Sequence, residues 1–148
     1  MLVKDVMTSE VVTVRLDMSV HKLAELFIEK DISGAPVVDD ADKFLGIVQE
    51  EGVMFQDKKV HLPTFIHILG GFLALGVKRF EEEMRKITAT KVSDIIEKDV
   101  VTVSADTSIE DLATTMIEKN VGYCPVIKNE RLVGVVTKKD IIRSIARS

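Results

Sequence analysis

The sequence predicts a mixed α/β (α+β) fold, built from two β-α-β-β-α units packed pseudo-symmetrically as one module. Three observations lead there: the chain repeats itself, each copy alternates β-branched runs with helical spacing, and one copy alone is too short to bury much core. Sliding the sequence by 89 positions lays Val3–Asp39 over Val92–Lys128, and 15 of those 37 positions are identical. Chance at ordinary residue frequencies gives roughly two or three. The run "VVTV" at 11–14 recurs at 100–103, and "PV" at 36–37 recurs at 125–126. One residue is lost in the second copy, after which "LGIV" meets "VGVV" at an offset of 88. The repeats divide the chain into a first unit at 1–57, an apolar and helical insert at 58–90, and a second unit at 91–148. A unit of about 55 residues supplies little core by itself, so the two are expected to pack on each other.

The elements follow in the same order in each copy. Val11–Val14 and Val100–Val103 are short β-branched runs and read as a first strand. Ser19 and Ser108 stand just before helical spacing, where a hydroxyl can accept from first-turn amides. Val20, Leu23, Ala24, Phe27 and Ile28 match Ile109, Leu112, Ala113, Met116 and Ile117, one apolar stripe per helix. "APVVD" and "CPVIK" read as a second strand, with Pro36 and Pro125 at its start, where a missing N–H is tolerated. "KFLGIVQ" and "RLVGVVT" make a third strand after the short turns "DDAD" and "KNE". A closing helix ends each copy, clearest at Lys138–Arg147, where Ile141, Ile142 and Ile145 share a face.

Composition narrows the functional classes. Hydrophobic residues are 46% and charged residues 30%, a globular rather than disordered balance. A net charge of -4 argues against a general nucleic-acid binder. No basic stretch followed by an apolar one suggests a secretory leader, and one cysteine excludes an internal disulfide framework. A cytoplasmic protein is the expectation. Cys124 matches Ala35, so it should fill a small buried strand position rather than act as a nucleophile. No carboxylate pair, nucleophile–base arrangement or phosphate loop of the Walker type is present, so the chain does not read as an enzyme.

The most informative contrast lies between "GVVTKKD" at 134–140 and "GIVQEEG" at 46–52. The same strand-to-helix turn carries Thr137, Lys138, Lys139 and Asp140 in one copy, and Gln49, Glu50, Glu51 and Gly52 in the other. A helix N-terminus with two lysines favours an anion, and a carboxylate can accept two ribose hydroxyls. Thr137 or Asp140 acting only as a helix cap explains the same residues without a ligand. In the other copy the carboxylate is missing, and two glutamates stand where a phosphate would lie.

These residues carry a family resemblance. The first strand, the capped helix, the "-PVV-" strand and the "-GhhTxxD-" turn into a closing helix resemble the cystathionine-β-synthase (CBS) domain. Two in tandem resemble a Bateman module, across roughly 110 of the 148 residues. The resemblance implies a regulatory ligand-binding module. It implies a ligand cleft using Thr137, Lys139 and Asp140 from the second copy with Val12, Ile32, Ser33, Gly34 and Ala35 from the first. The mirror cleft, formed by Gln49, Glu51, Val101, Val121, Gly122 and Tyr123, is expected to be degenerate: empty, or holding a neutral or cationic ligand. The implied effector is an adenine nucleotide (AMP, ADP or ATP) or a relative such as S-adenosylmethionine or NAD, with no cofactor required. Lys4, Lys139 and Arg143 are the candidate phosphate partners.

The insert holds a largely apolar run over 60–77 with His61, Pro63, His67 and Gly70-Gly71, followed by an amphipathic helix bearing Phe80, Met84 and Ile87. The run is too interrupted for a membrane span, and the two histidines lack the further ligands of a metal site. Packing within a homodimer is the preferred reading. The competing function is a ligand-free assembly module that docks an unknown target protein through the insert.

Overall fold

A computed structural model describes residues 1–59 and 90–148, the side chains of 55–59 excepted. Residues 60–89 of the insert, with its histidines, apolar run and amphipathic helix, lie outside the described residues. The elements are α1 (Val3–Val6), α2 (Val20–Lys30), β1 (Gly34–Val38), β2 (Phe44–Gln49), α3 (Glu50–Lys59), α4 (Val92–Ile95), α5 (Ile109–Lys119), β3 (Tyr123–Lys128), β4 (Arg131–Thr137) and α6 (Lys138–Arg147). This is the expected mixed fold, with two two-stranded sheets, β1–β2 and β3–β4.

The helices form where the sequence places them, for the stated reason. Ser19 Oγ accepts from Lys22 N and Ser108 Oγ from Asp111 N, each at 3.1 Å. Each helix ends in a left-handed residue, Asp31 or Asn120, both at φ 52°. A short polar side chain tolerates that conformation. Leu23 and Leu112 are fully buried, and Val20, Phe27, Ile109 and Met116 nearly so. The stripe stops one residue early, because Ile28 and Ile117 are 83% and 80% exposed. Of the α6 isoleucines only Ile141 is buried, whereas Ile142 and Ile145 face solvent.

Three features differ from expectation. The β-branched runs at 11–14 and 100–103 are extended, yet neither makes a strand. Each contributes one bridge residue, Val14 and Val103; Val103 pairs in parallel with Val126, accepting from Ile127 N at 2.9 Å and donating to Pro125 O at 3.0 Å. β-branching favours extended backbone but does not supply a partner along the whole run. The helices α1 and α4 were not expected, since a four-residue helix is too short to show a period. Pro36 and Pro125 take the third position of their strands rather than the first. The Pro125 carbonyl serves the Val103 bridge, while its missing N–H costs no ladder bond there.

The chain forms two compact units. One comprises Met1–Thr13, Pro36–Gly46 and Lys98–Ser148, and is called here the Asp140 unit. The other comprises Val14–Ala35 and Ile47–Glu97, and is called the Gly52 unit. Each unit therefore takes its first short helix from the other repeat. In the Asp140 unit, Val3 N donates to Thr107 O at 2.8 Å and Lys4 N to Ala105 O at 2.9 Å. Val3 is fully buried with Ile109, Leu112, Met116, Cys124, Val126, Val136 and Ile141. In the Gly52 unit the same exchange recurs: Val92 N donates to Met18 O at 2.8 Å and Ser93 N to Leu16 O at 3.0 Å. Val92 is fully buried there.

Candidate functional site

The β4–α6 turn of the Asp140 unit is a capping box. Thr137 is the N-cap of α6, in extended backbone, and Asp140 is its third helical residue. Asp140 Oδ2 accepts from Thr137 N at 2.8 Å and from Thr137 Oγ1 at 3.1 Å. Asp140 N donates back to Thr137 Oγ1 at 3.3 Å. Two orphan amides at the helix start are thereby satisfied reciprocally. Asp140 Oδ1 accepts from Arg143 Nη1 at 3.2 Å. Asp140 is the buried charged residue among those described, only 7% exposed, and a carboxylate so placed needs these partners.

Basic charge surrounds that carboxylate. The side chains of Lys138 and Lys139 are exposed and have no hydrogen-bond or ion-pair partner among the described residues. Lys138 N donates to Gly122 O at 3.1 Å. The Lys138 stem lies so close to Gly122 that a Cβ there would sit 3.4 Å from its Cδ and Cε. Tyr123 stands opposite Thr137 in the β3–β4 register. It is half-buried, and burial pushes its hydroxyl well above the ordinary tyrosine range. Burial likewise raises the Cys124 thiol, which is fully enclosed in β3 as its match to Ala35 predicted. Lys4 is engaged elsewhere, 3.4 Å from Asp106 in an exposed pair.

The equivalent turn of the Gly52 unit has different chemistry. Gln49 Nε2 donates to Glu97 Oε2 at 3.0 Å, and Glu50 and Glu51 are exposed at the start of α3. Ile47 and Glu97 exchange backbone bonds at 2.9 and 2.8 Å. Glu50 N donates to Ser33 O at 2.9 Å. Gly34 lies close to its own sheet, since a Cβ there would meet Val48 O at 3.2 Å.

The predicted residues thus fall into two groups. Thr137, Lys139 and Asp140 lie in the Asp140 unit with Val12, a half-buried residue outside regular structure, and with Val101, Val121, Gly122 and Tyr123. Ile32, Ser33, Gly34 and Ala35 lie in the Gly52 unit with Gln49, Glu51 and Gly52. Each loop before a second strand is seen beside the turn of its own repeat, through Gly122 to Lys138 and through Ser33 to Glu50. Sequence reasoning missed the bond from Arg143 to Asp140, although an i, i+3 spacing on a helix signals it. It also missed Glu97 as the partner of Gln49, for which no local signal exists. Among the described residues, no cluster of His, Cys, Asp and Glu could hold a metal ion, and no helix is long and apolar enough to cross a membrane.

Comparison with known proteins gives a consistent picture. The sequence profile of the CBS domain matches residues 3–55 and 92–147. The protein MJ1426 of Methanocaldococcus jannaschii is 30% identical over 98% of this chain and 91% of its own length. Other relatives are longer: the chain spans only 32% of MJ1404 from the same organism. The fold matches that of CBSX2 of Arabidopsis thaliana, solved in complex with AMP, at TM-score 0.75 and 23% identity, over 99% of this chain and 96% of that one. It also matches the CBS domain pair of MJ0100, solved with 5'-methylthioadenosine and S-adenosyl-L-methionine, at TM-score 0.71 and 23% identity, over 99% and 97%.

Proposed function

This chain belongs to the CBS domain family as a tandem pair, and on that premise we propose that it is a regulatory module that binds an adenine nucleotide or related adenosyl ligand. The proposed ligand contacts are Thr137, Lys139 and Asp140, with Val12 of the same unit. The observation that carries this reading is the contrast between the two turns. One holds a buried carboxylate beside two unpartnered lysines. The other holds a glycine beside two glutamates, which repel a phosphate. The complexes of CBSX2 with AMP and of MJ0100 with methylthioadenosine and S-adenosylmethionine support the adenosyl class.

In this reading the protein performs no chemistry. Thr137 and Asp140 are held in place by the capping box, so the ribose acceptor is preorganised at little entropic cost on binding. Exposed Lys138 and Lys139 raise the local concentration of an anionic ligand. The mirror turn at Gln49–Gly52 stays without nucleotide. The bound state is reported to a regulated partner, or through the geometry of a homodimer.

Calorimetric titration with AMP, ADP, ATP and S-adenosylmethionine tests this, using wild type and Asp140→Asn. Asparagine keeps the shape and one acceptor for the helix cap but replaces the other with a donor. A loss of at least about tenfold in affinity is expected. If no adenosyl compound binds wild type below millimolar concentration, the reading fails. The ligand-free assembly module then takes its place, favoured by the exposed isoleucines at 28, 117, 142 and 145.

A further inference from the structure

The two closing helices expose faces that match in shape and oppose in charge. At the offset of 88, Lys138, Lys139 and Ile142 on α6 stand where Glu50, Glu51 and Met54 stand on α3. In each helix the charged residues lie three and four positions before the apolar one, so the three share a face. All six are exposed, Ile142 at 64% and Met54 at 58%. Their side chains have no hydrogen-bond or ion-pair partner among the described residues. The one acidic residue of α6, Asp140, is buried and paired with Arg143, so that face presents no acidic group.

An apolar side chain flanked by two charges of one sign is complemented by an apolar side chain flanked by two of the other. The chain itself carries both members. A second copy can cover these faces in three ways, and charge separates them. Setting α6 on α6 brings the lysines of one copy against those of the other, and α3 on α3 does the same with the glutamates. Like charges so juxtaposed oppose binding. Setting α6 on α3 of a second copy places lysines against glutamates at the rim and Ile142 against Met54 within it. A polar rim around an apolar centre is the usual build of a protein interface. Two copies also present the matched faces in equal amounts, so no outside partner is needed.

We propose that the chain self-associates through unlike helices: α6 of one copy docks on α3 of a second, with Lys138 and Lys139 facing Glu50 and Glu51. The repeat provides two faces of one shape, and the opposite charges at matching positions select the orientation by excluding like-helix pairing. This inference rests on the homodimer named above as a route of reporting, and it is independent of the ligand.

The test is sedimentation velocity at low salt, without nucleotide, on wild type and two double variants, Lys138→Glu/Lys139→Glu and Glu50→Lys/Glu51→Lys. Each variant alone carries like charges on both helices, and should dimerise at least about tenfold more weakly than wild type. Mixed in equal amounts, the two variants again present opposite charges, and association should return to within about threefold of wild type. An unfolded variant cannot produce that recovery, so the mixture also controls for folding. Added salt should weaken the wild-type association. If wild type is a dimer but only the lysine variant dissociates, or both variants dimerise as wild type does, or the mixture stays dissociated, this inference is overturned while the homodimer stands. If wild type is monomeric at about 0.1 mM, the homodimer falls and takes this inference with it.

Discussion

Gly134 opens the strand end of the Asp140 turn, and its replacement by alanine is the most direct test of how that turn is built. Thr8 and Val135 exchange two backbone bonds of 2.9 Å. A Cβ at position 134 would lie 2.8 Å from Thr8 O and 2.9 Å from Met7 Sδ. The methionine can rotate away, but the Thr8 carbonyl can retreat only by lengthening both bonds. Overpacking costs about 1–3 kcal/mol, and weakening two backbone bonds adds about 1 kcal/mol. Gly134→Ala should therefore destabilise the protein by about 2–4 kcal/mol, lowering the melting temperature by about 6–12 °C at this chain length. Gly52 provides the matched control. A Cβ there would meet Ile95 at 3.5–3.6 Å, an ordinary contact, and the residue lies within α3. Gly52→Ala should stabilise by about 0.5–1 kcal/mol. Circular-dichroism melts and urea titrations on both variants read the two signs. A Gly134→Ala variant within about 0.5 kcal/mol of wild type would refute the close-approach argument. Because Val135 lies two residues before Thr137, the same variant should also weaken nucleotide binding.

Two further outcomes are expected from local chemistry. Tyr123 is the single tyrosine and there is no tryptophan, so phenolate absorbance reports it cleanly. Its hydroxyl is raised by burial; the unfolded chain therefore loses this proton first, near pH 10, and stability should fall as pH rises above that point. Tyr123→Phe should remove that part of the alkaline loss, and a native tyrosine titrating at its ordinary value would contradict the burial argument. Ser19→Ala and Ser108→Ala should each cost about 1 kcal/mol, and the double variant should be additive because the two caps share no partner. Urea midpoints measure this, and a double variant no worse than either single one would show that the caps contribute nothing.

Much of this architecture was legible in the linear order of residues, and the reason is physical. Capping, helical stripes and hairpin order depend on neighbours within about eight positions, and duplication displayed each signal twice. Ser19, Ser108, Leu23, Leu112 and the burial of Cys124 were all found that way. The contrast between Asp140 and Gly52 is also local, because Thr137, Asp140 and Arg143 lie within two helical turns. What lay beyond reach depends on contacts between distant parts of the chain. The run Val100–Val103 states its extended conformation but not that Val103 alone finds a bridge partner, in Val126. Gln49 gives no hint of Glu97, 48 residues away. The exposure of Ile28 and Ile117 follows from where each helix stops touching its core, which periodicity alone does not report. Above all, each repeat contributes its first helix to the unit formed mainly by the other, through bonds such as Val3 N to Thr107 O and Val92 N to Met18 O. Repeats with the same apolar pattern offer a similar surface to either helix, so side-chain pattern cannot choose between them. That choice is made by chain geometry and packing in three dimensions.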